Sequence, residues 1–301
     1  MAHYLLTGAA GFIGARTAEL LLDAGHRVVG VDDVNDAYDP RVKRHRLARL
    51  TGRAGFRFHE LDIARRAALE AAPFGERFDA VLNLAARAGV RAVVLTGAGR
   101  AFAAGADISE MQRMTPLEAE AFSRLGHLAC AGLEALSVPV IAAVNGLALG
   151  GGLELALACD FVYAARRARL GQPEVGLGLI PGFGGTSRLP RRVGPGWARE
   201  LVTSGEPIGT EIAERIGLVN RVFDDEATLL AAALAAGNTI ARQGPLAVAR
   251  AKRVLLEGQD ADVRVAHALE QQAFSALFAS ADREEGLAAF VEKRAPRFQA
   301  R

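Results

Sequence analysis

The sequence has little of what would mark a secreted, disulfide-rich or metal-dependent protein. Only two cysteines occur among its 301 residues, Cys130 and Cys159. They are too few for a disulfide framework and lack the clustered spacing of a zinc site. The residues after Met1 show neither the apolar core nor the small-residue cleavage site of an export signal. These absences predict a cytoplasmic protein without a structural metal.

An excess of charge of one sign is absent as well. The chain has 36 basic and 34 acidic residues, a formal net charge of +2, so no overall field steers it toward nucleic acid or a membrane. The segment Arg41–Arg57 has seven basic residues and no acid, but the aromatic interleaving of a nucleic-acid module is missing. A solvated helix face is the favoured interpretation.

The longest apolar stretch does not predict a membrane span. It runs from Val138 to Ala165 and contains Asn145, Glu154 and Asp160 together with several glycines. Buried charged groups of this kind are costly in a lipid bilayer. A buried strand followed by a buried helix is predicted, and neither a membrane nor nucleic acid is expected as a partner.

Half of the residues are apolar, enough for a large core, and their spacing predicts an α/β fold. In residues 3–90, short β-rich runs alternate with helical patterns, which is typical of a parallel sheet covered on both faces. The predicted strands there are Tyr4–Leu6, Arg27–Val31, Phe56–His59 and Ala80–Leu84, with a helix near Arg65–Ala72. From about Glu211 the pattern is nearly all helical, with Asp282 and Glu285 predicted to cap the last helix.

A glycine-rich turn lies between the first strand and the first helix. It reads Thr7–Gly14, and the next strand ends in Asp32. The glycines let backbone N–H groups approach a pyrophosphate at a helix N-terminus, and the acid is placed to hold an adenosine ribose. The alternative is a tight strand-to-helix turn with no ligand.

This segment resembles the extended short-chain dehydrogenase/reductases, and within them the nucleotide-sugar epimerases that act on UDP-glucuronate. The resemblance rests on Thr7–Gly14, Val31–Pro40, Leu61–Ile63 and Asn83–Val90. It implies that NAD is contacted by Gly8, Gly11, Gly14, Asp32, Asp62 and Ile63. The family's catalytic tyrosine, with lysine four residues on, is missing, since Arg167 stands four residues after Tyr163. The resemblance therefore implies half of a cofactor site without the redox chemistry.

Two acidic residues follow backbone that is rich in glycine or stiffened by proline, Glu154 after Gly150–Gly152 and Glu174 after Gly171-Gln172-Pro173. A glycine turn at a helix start exposes an N–H backed by the helix dipole, which suits a developing negative oxygen. A second donor is expected from the small residues around Gly105. The two carboxylates point to acid/base chemistry on a bound acyl group.

From about residue 90 to residue 301 the chain resembles the enoyl-CoA hydratase/isomerase, or crotonase, superfamily, and closely its hydratases. The matching blocks are Leu95–Gly99, Ala101–Met111, Pro139–Asp160, Gly171–Leu189 and Ala289–Arg294. The resemblance implies a spiral of ββα turns with a C-terminal helical region, and trimers that often pair into hexamers.

The same resemblance implies roles for individual residues. Ala106 and Gly151 would form an oxyanion hole, while Glu154 and Glu174 would be the catalytic carboxylates. The residues implied to hold the acyl-CoA are Ala104, Asp107, Phe290 and Lys293. The implied reaction is syn addition of water to the 2,3 double bond of a 2-enoyl-CoA, and it needs no cofactor. The acyl chain stays open, as do the other reactions of this superfamily.

One part of the superfamily pattern is replaced. Residues 91–301 lack the usual first spiral turn, which helps to build the CoA pocket, and the epimerase-like segment 1–90 stands in its place. The sequence therefore predicts a fusion of a partial Rossmann-like segment with an acyl-CoA domain. Two alternatives to a hydratase follow, an NAD-binding module without catalysis and an inactive fusion.

Overall fold

The computed structural model describes residues 2–34, 39–62, 80–83 and 90–301. Its contacts separate the chain into two compact units, Met1–Val90 and Arg91–Arg301. Both units contain parallel sheets with helices, so the predicted α/β class is confirmed. The predicted helix near residues 65–72 lies outside the described residues.

The Met1–Val90 unit contains one parallel sheet. Its strands are β1 (His3–Thr7), β2 (Arg27–Asp32), β3 (Phe56–Glu60) and β4 (Ala80–Asn83), in the order β3-β2-β1-β4. The order reverses beside β1, where α/β sheets bind ligands beyond the carboxyl ends of their strands. The helices in the described part of this unit are α1 (Phe12–Asp23) and α2 (Pro40–Leu50).

Helix α2 carries most of the basic segment Arg41–Arg57. The sequence predicted that these side chains face solvent, but Lys43 and Arg49 form ion pairs with neighbouring elements. Lys43 is 5 % exposed, with its Nζ 3.5 Å from Asp32 Oδ1. Arg49 pairs with Glu19 at 2.8 Å. Because α1 and β2 supply these acids, part of the basic segment joins α2 to its neighbours instead of facing solvent.

A four-stranded parallel sheet forms the centre of the Arg91–Arg301 unit. Its strands are β5 (Val93–Thr96), β7 (Val140–Val144), β9 (Phe161–Ala165) and β12 (Arg221–Phe223), in the order β12-β9-β7-β5. Val140 and Val144 enter one core cluster, while Ile141 enters a second one with Leu229. Strand β7 is thus buried on both faces, which explains its continuous apolar run.

A second sheet in this unit is built from very short strands. They are β6 (Ala101–Ala103), β8 (Leu147–Leu149), β10 (Arg169–Gly171) and β11 (Ile208–Gly209), in the order β11-β10-β8-β6. The first three run parallel, and β11 is antiparallel to β10. The sequence did not predict this sheet, because two or three residues are too few for alternation to show.

Helices surround both sheets of this unit. In chain order they are α3 (Ile108–Met111), α4 (Pro116–Glu134), α5 (Gly151–Leu157), α6 (Gly185–Ser204), α7 (Thr210–Arg215), α8 (Glu226–Ala241), α9 (Pro245–Gly258), α10 (Val263–Leu277) and α11 (Ala281–Val291), with a 3-10 turn at Pro173–Leu177. A search of the described helices finds none long and apolar enough to cross a membrane.

The predicted cap of the last helix is wrong. Ser280 is the N-cap, and its hydroxyl accepts from the Arg283 N–H at 3.2 Å. Asp282 lies inside the helix, where its carboxylate accepts from the backbone N–H groups of Gln299 and Ala300 at 2.6 and 2.8 Å. The C-terminal tail folds back onto α11 and takes up the acid that the sequence pattern assigned to the cap.

Candidate active site

Three parallel strands of the second sheet end at the same edge, and the predicted site residues follow them. Strand β6 leads to Ala106, β8 leads to Gly151 and β10 leads to Glu174. The register pairs Leu149 with Gly171 and Ala148 with Ala103. Because parallel strands present their carboxyl ends together, residues distant in sequence meet at one edge.

The two glycine-containing loops at this edge approach closely. A β-carbon at Gly152 would lie 1.9 Å from the Ala103 carbonyl oxygen, and one at Gly105 would lie 3.4 Å from the Leu149 carbonyl oxygen. Glycine at 152 is therefore required for contact between the start of α5 and the end of β6. This contact brings the Ala106 loop beside the turn that precedes α5.

The backbone N–H groups of Ala106 and Gly151 are available to a ligand. Gly151 is the first residue of α5, so the helix offers its N–H no acceptor. Within residues 90–301, no backbone hydrogen bond from the Ala106 N–H is found. Gly150, with φ +54° and ψ −126°, makes the sharp turn that begins the helix, a conformation open to glycine.

Glu154 lies in the first turn of α5 and is 1 % exposed. Its Oε1 accepts from the backbone N–H groups of Phe183 at 2.8 Å and Gly185 at 2.6 Å. Burial raises the pKa of this carboxyl above its ordinary value, although those two N–H groups and the charges of His127 and Arg188 oppose the rise. Its Oε2 lies 3.9 Å from where a β-carbon of Gly151 would be.

Glu174 lies in the 3-10 turn after β10 and is half-buried. A β-carbon at Gly150 would lie 3.1 Å from its Oε1. Gln172, fully buried, donates to Glu174 Oε1 at 2.8 Å and Oε2 at 3.1 Å in the amide orientation that gives both of its polar atoms partners. Burial raises the pKa of Glu174, its own backbone N–H lowers it, and the charge of Glu154 raises it further.

The arrangement combines two kinds of group. The carboxylates of Glu154 and Glu174 flank the Gly150-Gly151 turn, and the free N–H of Gly151 projects from the start of a helix. Two backbone donors suit an oxygen that gains negative charge, and two carboxyls of raised pKa suit proton transfer near neutral pH. The edge is therefore equipped for acid/base chemistry beside a polarised carbonyl.

The other residues predicted to hold acyl-CoA lie in different settings. Ala104 is exposed in the loop after β6. Asp107 caps α3, accepting from the Ser109 N–H at 2.9 Å. Phe290, 84 % exposed, and the exposed Lys293 lie at the end of α11. Among the described contacts, none joins these two to the carboxylates, and their roles stay predictions.

The two cysteines of the chain are buried and unreactive. Burial raises the pKa of Cys130 to about 11 and that of Cys159 to about 12. Both are neutral thiols at neutral pH, so neither is an activated nucleophile. Over the ranges that the structure describes, no group of three His, Cys, Asp or Glu side chains is placed to hold a metal ion.

The glycine turn of the Met1–Val90 unit is closely packed. Gly8 has φ +70°, and a β-carbon at Gly14 would lie 2.0 Å from the Gly8 carbonyl oxygen. A β-carbon at Gly11 would lie 3.0 Å from the same oxygen. Helix α1 can therefore approach the end of β1 only with glycine at these positions.

The acid of this motif is buried. Asp32, 6 % exposed, accepts from the N–H of Ala10 at 3.1 Å and of Val34 at 2.8 Å. Asp62 is half-buried, whereas Ile63 lies outside the described residues. Asp32 thus joins the end of β2 to the glycine turn.

Sequence reasoning missed the residues that hold the carboxylates. They are Gln172 for Glu174, and Phe183 and Gly185 for Glu154. A signal was present in the run Gly182-Phe183-Gly184-Gly185, since glycines at a helix start free several N–H groups. This run did not predict that Glu154, some thirty residues earlier, accepts from the N–H groups of Phe183 and Gly185.

Comparison with known proteins gives consistent matches. Residues 61–301 match the family described as enoyl-CoA hydratase/isomerase, and residues 4–101 match the NAD dependent epimerase/dehydratase family. The chain is 47% identical over 221 residues to a crotonyl-CoA hydratase of Syntrophomonas wolfei, covering 73% of this chain and 85% of the relative. It is 48% identical over 206 residues to a short-chain-enoyl-CoA hydratase of Clostridium acetobutylicum, covering 68% and 78%.

Solved structures agree. A crystal structure of an enoyl-CoA hydratase from Bacillus anthracis superimposes with a TM-score of 0.69 at 42% identity, covering 71% of this chain and 83% of that one. The predicted crotonase-like fold is therefore confirmed.

Proposed function

Because the chain belongs to the enoyl-CoA hydratase/isomerase family, we propose that it is a hydro-lyase that adds water to the 2,3 double bond of a 2-enoyl-CoA thioester. The observation that carries this proposal is the pairing of Glu154 and Glu174 around the Gly150-Gly151 turn. Relatives that it resembles closely carry the names crotonyl-CoA hydratase and short-chain-enoyl-CoA hydratase, which favours a short acyl chain.

Activation of the substrate is assigned to backbone groups. The thioester carbonyl oxygen accepts from the N–H groups of Ala106 and Gly151, and the dipole of α5 adds to the second donor. Charge that develops on this oxygen makes Cβ electrophilic. The free N–H of each residue and the contact between their loops support this assignment.

Water is activated by Glu154. Its Oε1 is held by two N–H groups, which stabilise the ionised form and leave Oε2 to accept a proton from water. The water oxygen forms a bond to Cβ as the C2–C3 π bond opens. Burial raises the pKa of Glu154, but the two N–H groups and the charges of His127 and Arg188 oppose that rise. This opposition favours Glu154 as the base of the pair.

The proton at Cα comes from Glu174. Burial, and after it the charge of Glu154, raises the pKa of this carboxyl, which favours the protonated form next to an ionised neighbour. Transfer of that proton to Cα completes the addition of one water, and both carboxyls lie on the side of the Gly150-Gly151 turn, which favours syn addition. Proton exchange with solvent then returns each glutamate to its starting state.

The test is hydration of crotonyl-CoA followed by its absorbance and by product mass. The full chain is expected to convert it to the 3-hydroxy thioester, and both Glu154→Gln and Glu174→Gln are expected to lose this activity. No conversion by the full chain would favour the inactive fusion. Conversion that leaves a shifted double bond, without added water, would favour an isomerase of the same family.

We also propose that Phe290 and Lys293 contact CoA, together with Ala104 and Asp107, in a homotrimer or a pair of trimers. Large apolar side chains on the last helices are exposed, which favours association of copies. They include Phe274, Phe278, Phe290 and Val291. Light scattering of the purified chain tests the trimer, and a monomer in solution would contradict it.

A second candidate function is NAD binding by the Met1–Val90 unit, without catalysis. The strand order β3-β2-β1-β4 and the packing of Gly14 on Gly8 favour it. Asp32 fits the role through Oδ2, which accepts the Ala10 N–H and has a second lone pair for a ribose hydroxyl, whereas Oδ1 accepts from Val34 and lies 3.5 Å from Lys43 Nζ.

The residues that would hold NAD are Gly8, Gly11, Gly14, Asp32 and Asp62. Bound NAD supplies hydride transfer in redox enzymes, and these residues would bind and orient it only. Calorimetric titration with NAD tests this candidate, with Asp32→Asn expected to weaken binding. An absence of binding heat for the full chain would remove it.

A further inference from the structure

A partly buried ion pair joins two helices beside the proposed base. Arg188 lies in the first turns of α6, and its Nε and Nη2 donate to the two carboxylate oxygens of Glu134 at 2.6 and 2.8 Å. The side chains are 14% and 23% exposed. This two-bond geometry fixes the guanidinium plane, which a lysine ammonium could not do.

The third contact of Arg188 reaches the backbone that holds Glu154. Its Nη1 donates to the Phe183 carbonyl oxygen at 2.9 Å, and the N–H of the same Phe183 donates to Glu154 Oε1 at 2.8 Å. The second donor, Gly185, is two residues on. The Phe183 carbonyl belongs to the peptide unit that lies between the two units carrying these N–H groups, so fixing it restrains both donors from the middle.

The same backbone segment is supported from α4. The Ser123 hydroxyl donates to the Gly182 carbonyl oxygen at 2.5 Å, and the rings of Phe122 and Phe183 lie 5.3 Å apart. Gly184 takes φ +105° between the two donors. These contacts hold the segment in place from α4, whereas Arg188 binds it from α6 through a charged hydrogen bond.

We propose that Arg188, locked by Glu134, is a positioning residue that aims Glu154 at the substrate water and keeps it ionised. The proposal rests on the proposed function, since it assigns Arg188 to the base of that reaction. Arg188 acts through the Phe183 carbonyl and through its charge, and it touches no reacting atom.

The charged and titratable groups that face Glu154 come from three elements. Helix α4 supplies His127, Cys130 and Glu134, α6 supplies Arg188, and the turn after β10 supplies Glu174. The N–H groups of Gly185 and Phe183 and the charges of His127 and Arg188 favour the ionised form of Glu154, whereas Glu174 opposes it when ionised. Removing the arginine charge therefore raises the pKa of Glu154, and the acid limb of the kcat profile moves to higher pH.

The experiment separates the two effects with matched variants. Arg188→Lys keeps the positive charge and loses the two-bond contact with Glu134, whereas Arg188→Gln loses both. Glu134→Gln keeps Arg188 charged and weakens its fixation. The control is Arg191→Gln, one turn on in α6, because Arg191 also makes a two-bond pair, with Asp260 at 2.8 and 2.9 Å, but on the exposed surface.

Two readouts are compared across these variants. The first is the pH profile of kcat and KM for crotonyl-CoA hydration. The second is an infrared pH titration of the Glu154 carboxyl, identified by its loss in Glu154→Gln, which needs no substrate. The infrared titration remains decisive if the full chain proves inactive, so failure of the proposed function and failure of this proposal are distinguishable.

The expected results follow from the geometry. Arg188→Lys and Glu134→Gln lower kcat about 10-fold with KM nearly unchanged, because the base is misaligned. Arg188→Gln in addition moves the Glu154 midpoint to higher pH, because a positive charge beside the carboxylate is lost, and Arg191→Gln changes neither quantity. A Glu154 midpoint that is the same in Arg188→Gln as in the unsubstituted chain would overturn the proposal. If Arg188→Gln does not fold, unchanged kcat in both Arg188→Lys and Glu134→Gln would overturn it.

Discussion

The carboxylate of Glu154 accepts a hydrogen bond from the backbone N–H of Gly185 at 2.6 Å, although the two residues are 31 positions apart. This bond joins the first turn of α5 to the first residue of α6. It occupies Oε1 and leaves Oε2 on the side of Gly151. One oxygen of the acid is thus structural, and the other is available for chemistry.

Glu154→Gln is expected to separate these two roles. An amide oxygen accepts the same two N–H groups, so the fold is retained, whereas the neutral amide cannot remove a proton from water. We expect kcat for crotonyl-CoA hydration to fall by a factor of about 10² to 10⁴, the usual contribution of general acid/base catalysis. KM is expected to change little.

Glu120→Gln is the matched control, since this glutamate is exposed on α4 and pairs with Arg124 at the surface. Its kcat should equal that of the unsubstituted chain. If Glu154→Gln were as active as this control, Glu154 would not be the base.

For Glu154, the sequence predicted the local structure but not the hydrogen-bond partners. A glycine run before an acid predicted a helix start with a carboxylate in its first turn, and α5 begins there. Glu154 accepts from Phe183 and Gly185 only because α6 packs on α5. Residue spacing within one segment does not predict how two helices pack.

The strands show the same limit. Strand β7 was predictable because burial on both faces leaves a continuous apolar run. Strands β6, β8 and β10 were missed, although their carboxyl ends carry the whole candidate site, because three residues give no measurable alternation.

Glu174→Gln is expected to stabilise the Arg91–Arg301 unit at neutral pH. Burial raises the pKa of Glu174 above 4.5, so the folded state holds the proton more tightly than the unfolded chain does. The carboxyl therefore supports the folded state fully below about pH 4.5, and that support is lost as pH rises through the folded pKa. A neutral glutamine avoids this loss.

Thermal unfolding monitored at Trp197 measures the effect, because this sole tryptophan lies in α6 and reports on that unit. The Tm of Glu174→Gln should exceed that of the unsubstituted chain at pH 7, and the gain should shrink toward pH 4. An equal gain at both pH values would contradict the assignment to ionisation.

Gly152→Ala is expected to disrupt the site through the backbone. Alanine favours a helix over glycine by about 1 kcal/mol, but the new β-carbon would lie 1.9 Å from the Ala103 carbonyl oxygen. Separation of the two loops is expected to cost about 2 kcal/mol or more in unfolding free energy, and activity should fall with it.

Gly132→Ala serves as its control in α4, where no atom lies within 4 Å of the added carbon. Urea unfolding should show this variant slightly stabilised. Were both alanine variants equally stable, the close approach at Ala103 would not limit the packing.

Lys252→Met is expected to weaken the attachment of α9 to the central sheet. The Lys252 ammonium is 2.8 Å from Asp160 Oδ2 and donates to the Val138 carbonyl oxygen at 3.0 Å. Its side chain is nearly buried, and the substitution leaves Asp160 without its cation. Because the Asp160 side chain is partly exposed, removing its cation costs about 2 kcal/mol, less than in a fully buried pair. The neighbouring Arg253 pairs with Glu257 at the surface, so Arg253→Met should cost less than about 1 kcal/mol.

Urea unfolding followed by Trp197 fluorescence compares the loss of stability in Lys252→Met with that in Arg253→Met. Equal losses would mean that the methionine changes act through helix packing and that the Lys252–Asp160 pair is not what holds α9.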